Sequence, residues 1–319
     1  MRLLLLCCAL LFAAGCGTPS FLVTPVANTN KLEEVEVQSG SGGWSQPKIA
    51  LIEVEGMLMN SRSGGFLQPT ENKLSLFTQQ MEVAARDPRV KAVVLRVNSP
   101  GGTVTATDTM YQIVQRFRDE TKKPVIVSMQ EIAASGGYYV ACGADVIVAH
   151  PTSVVGSIGV IFSAFEFEQT LAKIGARSWV IKSGQYKDMG SPFKALRADE
   201  RELMQQMVDE YHKRFVETVQ KHRSVSDLGI ATDGRVFSGE TALQLGLVDR
   251  VGLLDDALDV AREKAGASGA KVVMYKRPYG YRGSIYASSS TPEPRANVIT
   301  LDLPDSMLLP KGFYYLWQP

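Results

Sequence analysis

The chain has 319 residues, 45% hydrophobic and 21% charged, a globular balance with room for about two domains at roughly 150 residues each. Its 34 Lys and Arg against 33 Asp and Glu leave a net charge of +1, which excludes a general nucleic-acid binder dependent on a basic surplus. Only three His and four Cys occur, three of the Cys within the first sixteen residues; this excludes a disulfide framework in the body and a Cys/His zinc cage.

In chain order, Arg2 precedes an apolar run and a small-residue exit, so residues 1–15 read as a secretory signal peptide. The run is too short to span a bilayer comfortably, which takes roughly 20 apolar residues. Ala13-Ala14-Gly15-Cys16 resembles a bacterial lipobox, with Ala13 where Leu is usual; Cys16 would then carry lipid and become the mature N-terminus. Residues 16–47 are polar and include Ser39-Gly40-Ser41-Gly42-Gly43, the composition of a flexible tether.

From Lys48 onward, short apolar runs alternate with helical patterns. Residues 49–54 predict a strand ended by Gly56, and Thr70 opens a helix with Leu74, Phe77, Met81 and Ala84 on one face. A β-branched strand at 90–97 stops at Asn98-Ser99-Pro100-Gly101-Gly102, before a helix carrying Val104, Tyr111, Val114 and Phe117. Residues 125–127, 145–148 and 179–181 continue the strand series. Residues 199–222 predict the clearest helix, capped by Asp199 and Glu202, with Leu203, Met207, Tyr211, Phe215 and Val219 on its apolar face. This alternation predicts an α/β domain with a largely parallel sheet over residues 48–275. Residues 276–319, ending in Phe313-Tyr314-Tyr315-Leu316-Trp317, read as an extended arm and not as a second core.

Three glycine-rich loops border these strands: Asn98–Gly102, Ala134-Ser135-Gly136-Gly137-Tyr138-Tyr139, and Gly156-Ser157-Ile158-Gly159-Val160. Such loops either turn backbone N–H groups toward a site or serve as plain tight turns. Ser135, at a strand-to-helix turn, is placed as a nucleophile, and a nucleophilic Ser needs a base. His150 with Asp145 would form a poorly placed triad, because Asp145 starts the same short strand; His212 and His222, on the long helix, read as solvated. Lys187 is the remaining base, and burial could lower its affinity for a proton. The bland alternative, a surface Lys187 paired with Asp188, stays open on spacing alone.

Together these motifs, with Lys182-Ser183-Gly184-Gln185-Tyr186-Lys187-Asp188-Met189-Gly190-Ser191-Pro192, Gly234-Arg235-Val236-Phe237-Ser238-Gly239 and Ala242–Asp249, resemble the signal peptide peptidase A family in order and spacing. The resemblance covers residues 48–252 and is to the short form with one catalytic domain, against the two suggested by length. It implies a crotonase/Clp-protease fold and a membrane-associated serine endopeptidase working without cofactor or metal. It assigns Ser135 as nucleophile, Lys187 as general base, and Ser157 as the hydroxyl orienting that lysine. The oxyanion donors would be the backbone N–H of Gly136 and that of Gly101 or Gly102. It further implies remnant signal peptides as substrates, a ring-shaped homo-oligomer with Ser135 and Lys187 from neighbouring protomers, and an extracytoplasmic, membrane-anchored location. The strand edge near residues 98–102 would pair with an extended substrate. The arm would occupy its own or a neighbour's groove, or seal the ring. Two rival readings are a crotonase-type acyl-CoA enzyme, disfavoured by export, and a non-catalytic membrane scaffold.

Overall fold

Strand β2 (Lys48–Glu55) buries side chains on both faces: Ala50, Ile52 and Val54 enter one core, Ile49 and Leu51 another. In β3 (Val90–Ser99), Val93, Leu95 and Val97 face the first core, Ala92 and Val94 the second. Period-two alternation with both sets apolar marks strands of a sheet covered by helices on both sides. The structure in which these elements are seen is a computed structural model describing residues 31–41, 46–61, 71–277 and 312–318. Contacts divide the chain into Met1–Lys31 and Leu32–Pro319, and everything below concerns the second unit.

The remaining strands of the main sheet are β1 (Glu33–Gln38), β5 (Val125–Ala134), β6 (Val146–Ala149), β7 (Val154–Gly156), β9 (Val236–Ser238), β10 (Arg250–Val251) and β11 (Lys271–Lys276). Their order is β1-β11-β2-β3-β5-β6-β10, with β7 continuing the edge of β5 and β9 paired to β7. Pairing is parallel from β11 through to β10; β1 on β11 and β9 on β7 are antiparallel. The first face is covered by α1 (Lys73–Arg86), α2 (Val104–Thr121), α3 (Gly136–Ala141) and α5 (Ala198–His222), through Phe77, Met81, Val114, Tyr139, Phe215 and Val219. The second is covered by α8 (Leu254–Lys264) through Leu254, Leu258 and Ala261. Short helices α4 (Glu168–Lys173), α6 (Leu228–Ala231) and α7 (Gly239–Gln244) complete the described set. No described helix is long and apolar enough to cross a membrane.

Several sequence expectations need correction. Residues 33–38, assigned to the tether, form β1: beneath its charges Glu33-Glu34-Val35-Glu36-Val37-Gln38 alternates, and Val37 packs on the second core. Lys48, 1% exposed, ties this edge down through Glu34 at 2.6 Å and Asp87 at 2.8 Å. Burial works to raise the Asp87 carboxyl, but hydrogen bonds from Lys48 and Arg89 outweigh it and hold the group at about 2. Residues 179–181 form no strand: Trp179, Val180 and Ile181 are 79%, 56% and 88% exposed, with no sheet edge to join. Helix α1 is capped by Asn72, whose side chain accepts the Ser75 N–H at 3.1 Å; Thr70 lies outside the described residues. At α5 the capping partner is Glu200, accepting the Arg197 N–H, in place of the expected Asp199 and Glu202 pair. Residues 1–15, Cys16 and the lipobox also lie outside the described residues.

The arm is not merely extended. Its residues Gly312–Leu316 form β12, the centre of a second, antiparallel sheet between β4 (Gly101–Thr103) and β8 (Ile161–Ser163).

Candidate active site

At the end of β5 the chain leaves the sheet and turns at once into α3, with Ser135 at the corner. Its backbone sits at φ 51°, ψ −115°, a sparsely populated combination for a residue with a side chain. Ser157, one step past the Ala134–Gly156 pair in the neighbouring strand, also has positive φ, at 50°. Among described non-glycine residues, only Lys122 shares this property, and it ends helix α2. Strain of this kind costs about 1–3 kcal/mol per residue and persists only where surroundings impose it. Here Ser135 N–H donates to the Gly156 carbonyl at 2.7 Å, and Ser157 N–H to the Arg235 carbonyl at 2.8 Å. The two serines are therefore held side by side at one corner.

Ser135 is 1% exposed, and its Oγ has no hydrogen-bond partner among the described residues. Buried hydroxyls are normally hydrogen-bonded, so the Ser135 hydroxyl is not committed to another described protein group. The hydroxyl of Thr107, also buried and unpaired, lies beside the same turn, 2.8 Å from where a Cβ on Gly136 would stand.

The loop after β3 faces this corner closely. A Cβ on Gly101 would stand 2.7 Å from the Gly136 amide nitrogen and collide with the Tyr315 carbonyl oxygen. Glycine is required there both by this approach and by φ +110°. Of the two glycines, Gly101 already donates its N–H to Ser99 Oγ at 3.1 Å. The outer edge of β4 is taken by Leu58, which donates to Gly101 O and accepts from Thr103 N–H. Strand alternation then turns the Gly102 amide the other way, toward β12 opposite Tyr315. Ser135, Gly136, Gly101, Gly102 and Ser157 are thus brought together.

Lys187 is not. It is exposed, in the turn-rich segment between α4 and α5, and Ser135 Oγ, being unpartnered, receives no bond from it. Nor does the bland alternative hold, because Asp188 is engaged by Lys182 at 2.7 Å and Lys194 at 2.9 Å. Those hydrogen bonds hold its carboxyl at about 2. The His150 triad is also absent. Asp145 is paired with Arg118 and accepts the Val125 N–H, and His150 Nδ1 lies 2.9 Å from Thr152 Oγ1. His222, expected to be solvated, packs edge-on to Tyr111 with its Nε2 2.7 Å from the phenol oxygen. Burial, with Lys221 and Arg223 nearby, pushes its imidazole down to about 4. His212 is half-buried as well, its Nε2 lying 2.9 Å from the Thr232 carbonyl.

Beside Ser157 opens a cleft of about 410 Å³, whose walls include Gly159, Gln205, His212, Gly234 and Leu316. Behind the corner, the rings of Tyr139 and Phe215 enclose that of Tyr315, whose phenol donates to the Tyr211 backbone carbonyl, and together they form an aromatic chamber. Sequence reading missed that chamber, although Tyr139 belongs to the quoted glycine motif.

Comparison with known proteins bears on the family and the fold. The model for peptidase family S49 matches residues 117–268, and that for Clp protease matches residues 49–155, which run from β2 into β7. The mostly parallel sheet is accordingly of the Clp protease type. The chain is 31% identical over 250 residues to a candidate signal peptide peptidase, SppA, of Enterococcus faecium, covering 78% of this chain and 72% of that one. It is 35% identical over 232 residues to a candidate protease of Synechocystis, covering 72% and 79% respectively. With a candidate protease of Methanocaldococcus jannaschii it shares 42% identity over 193 residues, 60% of this chain and 61% of the relative.

Proposed function

Because the chain belongs to peptidase family S49 and is a serine peptidase, we propose that Ser135 is its nucleophile and Lys187 of a neighbouring copy its general base. The observation that carries this reading is the buried, strained and unpartnered Ser135 Oγ beside the Gly136 amide. Exposed Lys187 supports the part played by a second copy. So does the segment around it, which leaves Phe165, Ile174, Trp179 and Ile181 at 57–88% exposure, a surface suited to burial against another protomer.

In this reading the Lys187 amine enters beside Ser157, whose hydroxyl orients it; the open cleft there has room for it. The neutral amine takes the Ser135 proton as Oγ attacks the peptide carbonyl. Negative charge on the carbonyl oxygen is met by N–H groups of Gly136 and Gly102, Gly101 having spent its own on Ser99. The protonated lysine then gives its proton to the departing amine, leaving an acyl-enzyme on Ser135. Water, deprotonated by the same lysine, releases the acid and restores the serine.

The substrate is an extended apolar peptide, bound as a strand between β4 and β8, and remnant signal peptides have that chemistry. The body is held outside the cytoplasm at a membrane by lipid on Cys16, and copies close into a ring. Mixing Ser135→Ala and Lys187→Ala chains tests the shared site: hydrolysis should recover toward a quarter of wild type. No recovery after dissociation and reassembly would place both residues in one chain. A scaffold without catalysis would show no hydrolysis in any combination.

A further inference from the structure

The segment that carries Lys187 is built around its sequence neighbour. Lys187 and Asp188 hold the two middle positions of a turn closed by the Met189 N–H on the Tyr186 carbonyl at 3.0 Å. Lys187 is exposed, whereas the Asp188 side chain is only 13% exposed. Asp188 Oδ1 accepts from Lys182 at 2.7 Å and from Lys194 at 2.9 Å. Lys194 reaches on to Glu200 at 2.5 Å, a fully buried carboxylate at the start of α5 that Arg197 also holds at 3.2 Å. Lys182 is fixed by a second bond to the Gln185 carbonyl at 3.0 Å, and Gln185 in turn donates to Asp199, the partner of Arg197. This network of three cations and three carboxylates carries no net charge, and among the described residues Lys187 takes no part in it.

The arrangement matters because a general base must be neutral. Lysine ordinarily loses its proton at about 10.4, and an opposite charge within about 4–6 Å favours the charged form, moving such values by about 1–3. A Lys-Asp neighbour pair would therefore disarm the base unless the carboxylate were engaged elsewhere.

We propose that Lys182 and Lys194 are positioning residues of the general base: by engaging Asp188 they keep its carboxylate from Lys187, which enters the neighbour's cleft without a counter-ion. The inference rests on the reading of Lys187 as the base of a second copy. In that cleft the titratable groups are Asp209, His212 and Asp233. Asp209 accepts from Gln205, Asp233 is paired with Arg235, and His212 meets the Thr232 carbonyl. Asp188 is the carboxylate that accompanies the amine into the site.

The test follows the rate at which a fluorophosphonate labels Ser135 in the full chain, from about pH 5 to pH 10. Labelling forms the Oγ–P bond as Lys187 takes the hydroxyl proton and fluoride departs, so its rate reports the neutral amine. In Lys182→Met/Lys194→Met the released Asp188 should capture Lys187. The rise of the rate with pH should then move upward by about one pH unit, slowing labelling at pH 7 about tenfold. Adding Asp188→Asn to that chain removes the carboxylate charge and should return the profile to within about twofold of wild type. A loss caused only by a loosened fold would persist in the triple variant. Should Lys194→Met leave Glu200 too poorly paired to fold, Lys182→Met breaks one contact to Asp188 and leaves Lys194 in place. It should slow labelling at pH 7 about threefold, again reversed by Asp188→Asn. An unmoved profile, or a loss that Asp188→Asn does not reverse, overturns the proposal and leaves Lys187 as the base. Labelling of wild-type speed in Lys187→Ala would instead reject the base assignment, and the proposal with it.

Discussion

Replacing Gly101 with alanine should separate the reaction from the fold. Its φ of +110° lies outside the range open to alanine, a strain of about 1–3 kcal/mol. The added Cβ would also meet the Tyr315 carbonyl and stand 2.7 Å from the Gly136 amide nitrogen, so the two glycine loops must move apart. Displacing a single oxyanion donor typically lowers kcat about 10²–10³-fold, or about 2.7–4 kcal/mol. Gly101→Ala should therefore cut kcat on an apolar peptide by about a hundredfold. In urea denaturation it should lose only about 1–3 kcal/mol of stability. Gly266→Ala is the control: its φ is +58°, but no neighbouring atom lies within 4 Å of the new Cβ. That change should cost about 1–2 kcal/mol of stability and leave kcat alone. Wild-type kcat in Gly101→Ala, or an equal loss in Gly266→Ala, would refute the close approach as a catalytic feature.

Phe215 is fully buried, with rings of Tyr139 at 5.0 Å and Tyr315 at 4.8 Å, so Phe215→Ala should lose about 3–5 kcal/mol in urea denaturation. The His222 imidazole takes a proton near 6.5 when unfolded but near 4 when folded. The unfolded chain binds more protons in that window, so stability should fall as pH drops from 6.5 toward 4. His222→Gln should flatten that decline, and parallel urea-midpoint curves for both chains would contradict it. Cys142 is buried, and its thiol is pushed up to about 11. Mass-mapped alkylation at pH 8 should therefore spare it in the native chain and modify it in urea.

What could be read from sequence follows the range of the interactions. Strands β2, β3 and β5 are apolar on both faces, so each declares itself locally, and the parallel sheet follows from them. Ser135 was legible because its glycines permit a turn that few sequences can make. Strand β1 was hidden by its glutamates, whose charge is met by Lys48 and Lys271 from other strands. Residues 179–181 misled in the opposite direction: β-branched, apolar residues look like a strand, but no sheet edge lies beside them. Strand β12 pairs with residues about 150 and 210 positions earlier, a distance no local pattern spans. Phe215 looked like one more apolar residue on a long helix; only the arrival of Tyr139 and Tyr315 from elsewhere turns it into a chamber wall. Spacing left Lys187 open between a buried base and a surface lysine paired with Asp188; in one chain it faces outward, and Asp188 is held by other lysines.

The central claim, a serine nucleophile made reactive by Lys187, is tested most directly by covalent capture. The full chain is treated with a serine-directed fluorophosphonate and mapped by mass spectrometry, beside Lys187→Ala. The account predicts a stoichiometric adduct on Ser135 in wild type, lost in Lys187→Ala. An unmodified Ser135, or labelling indifferent to Lys187, would contradict it.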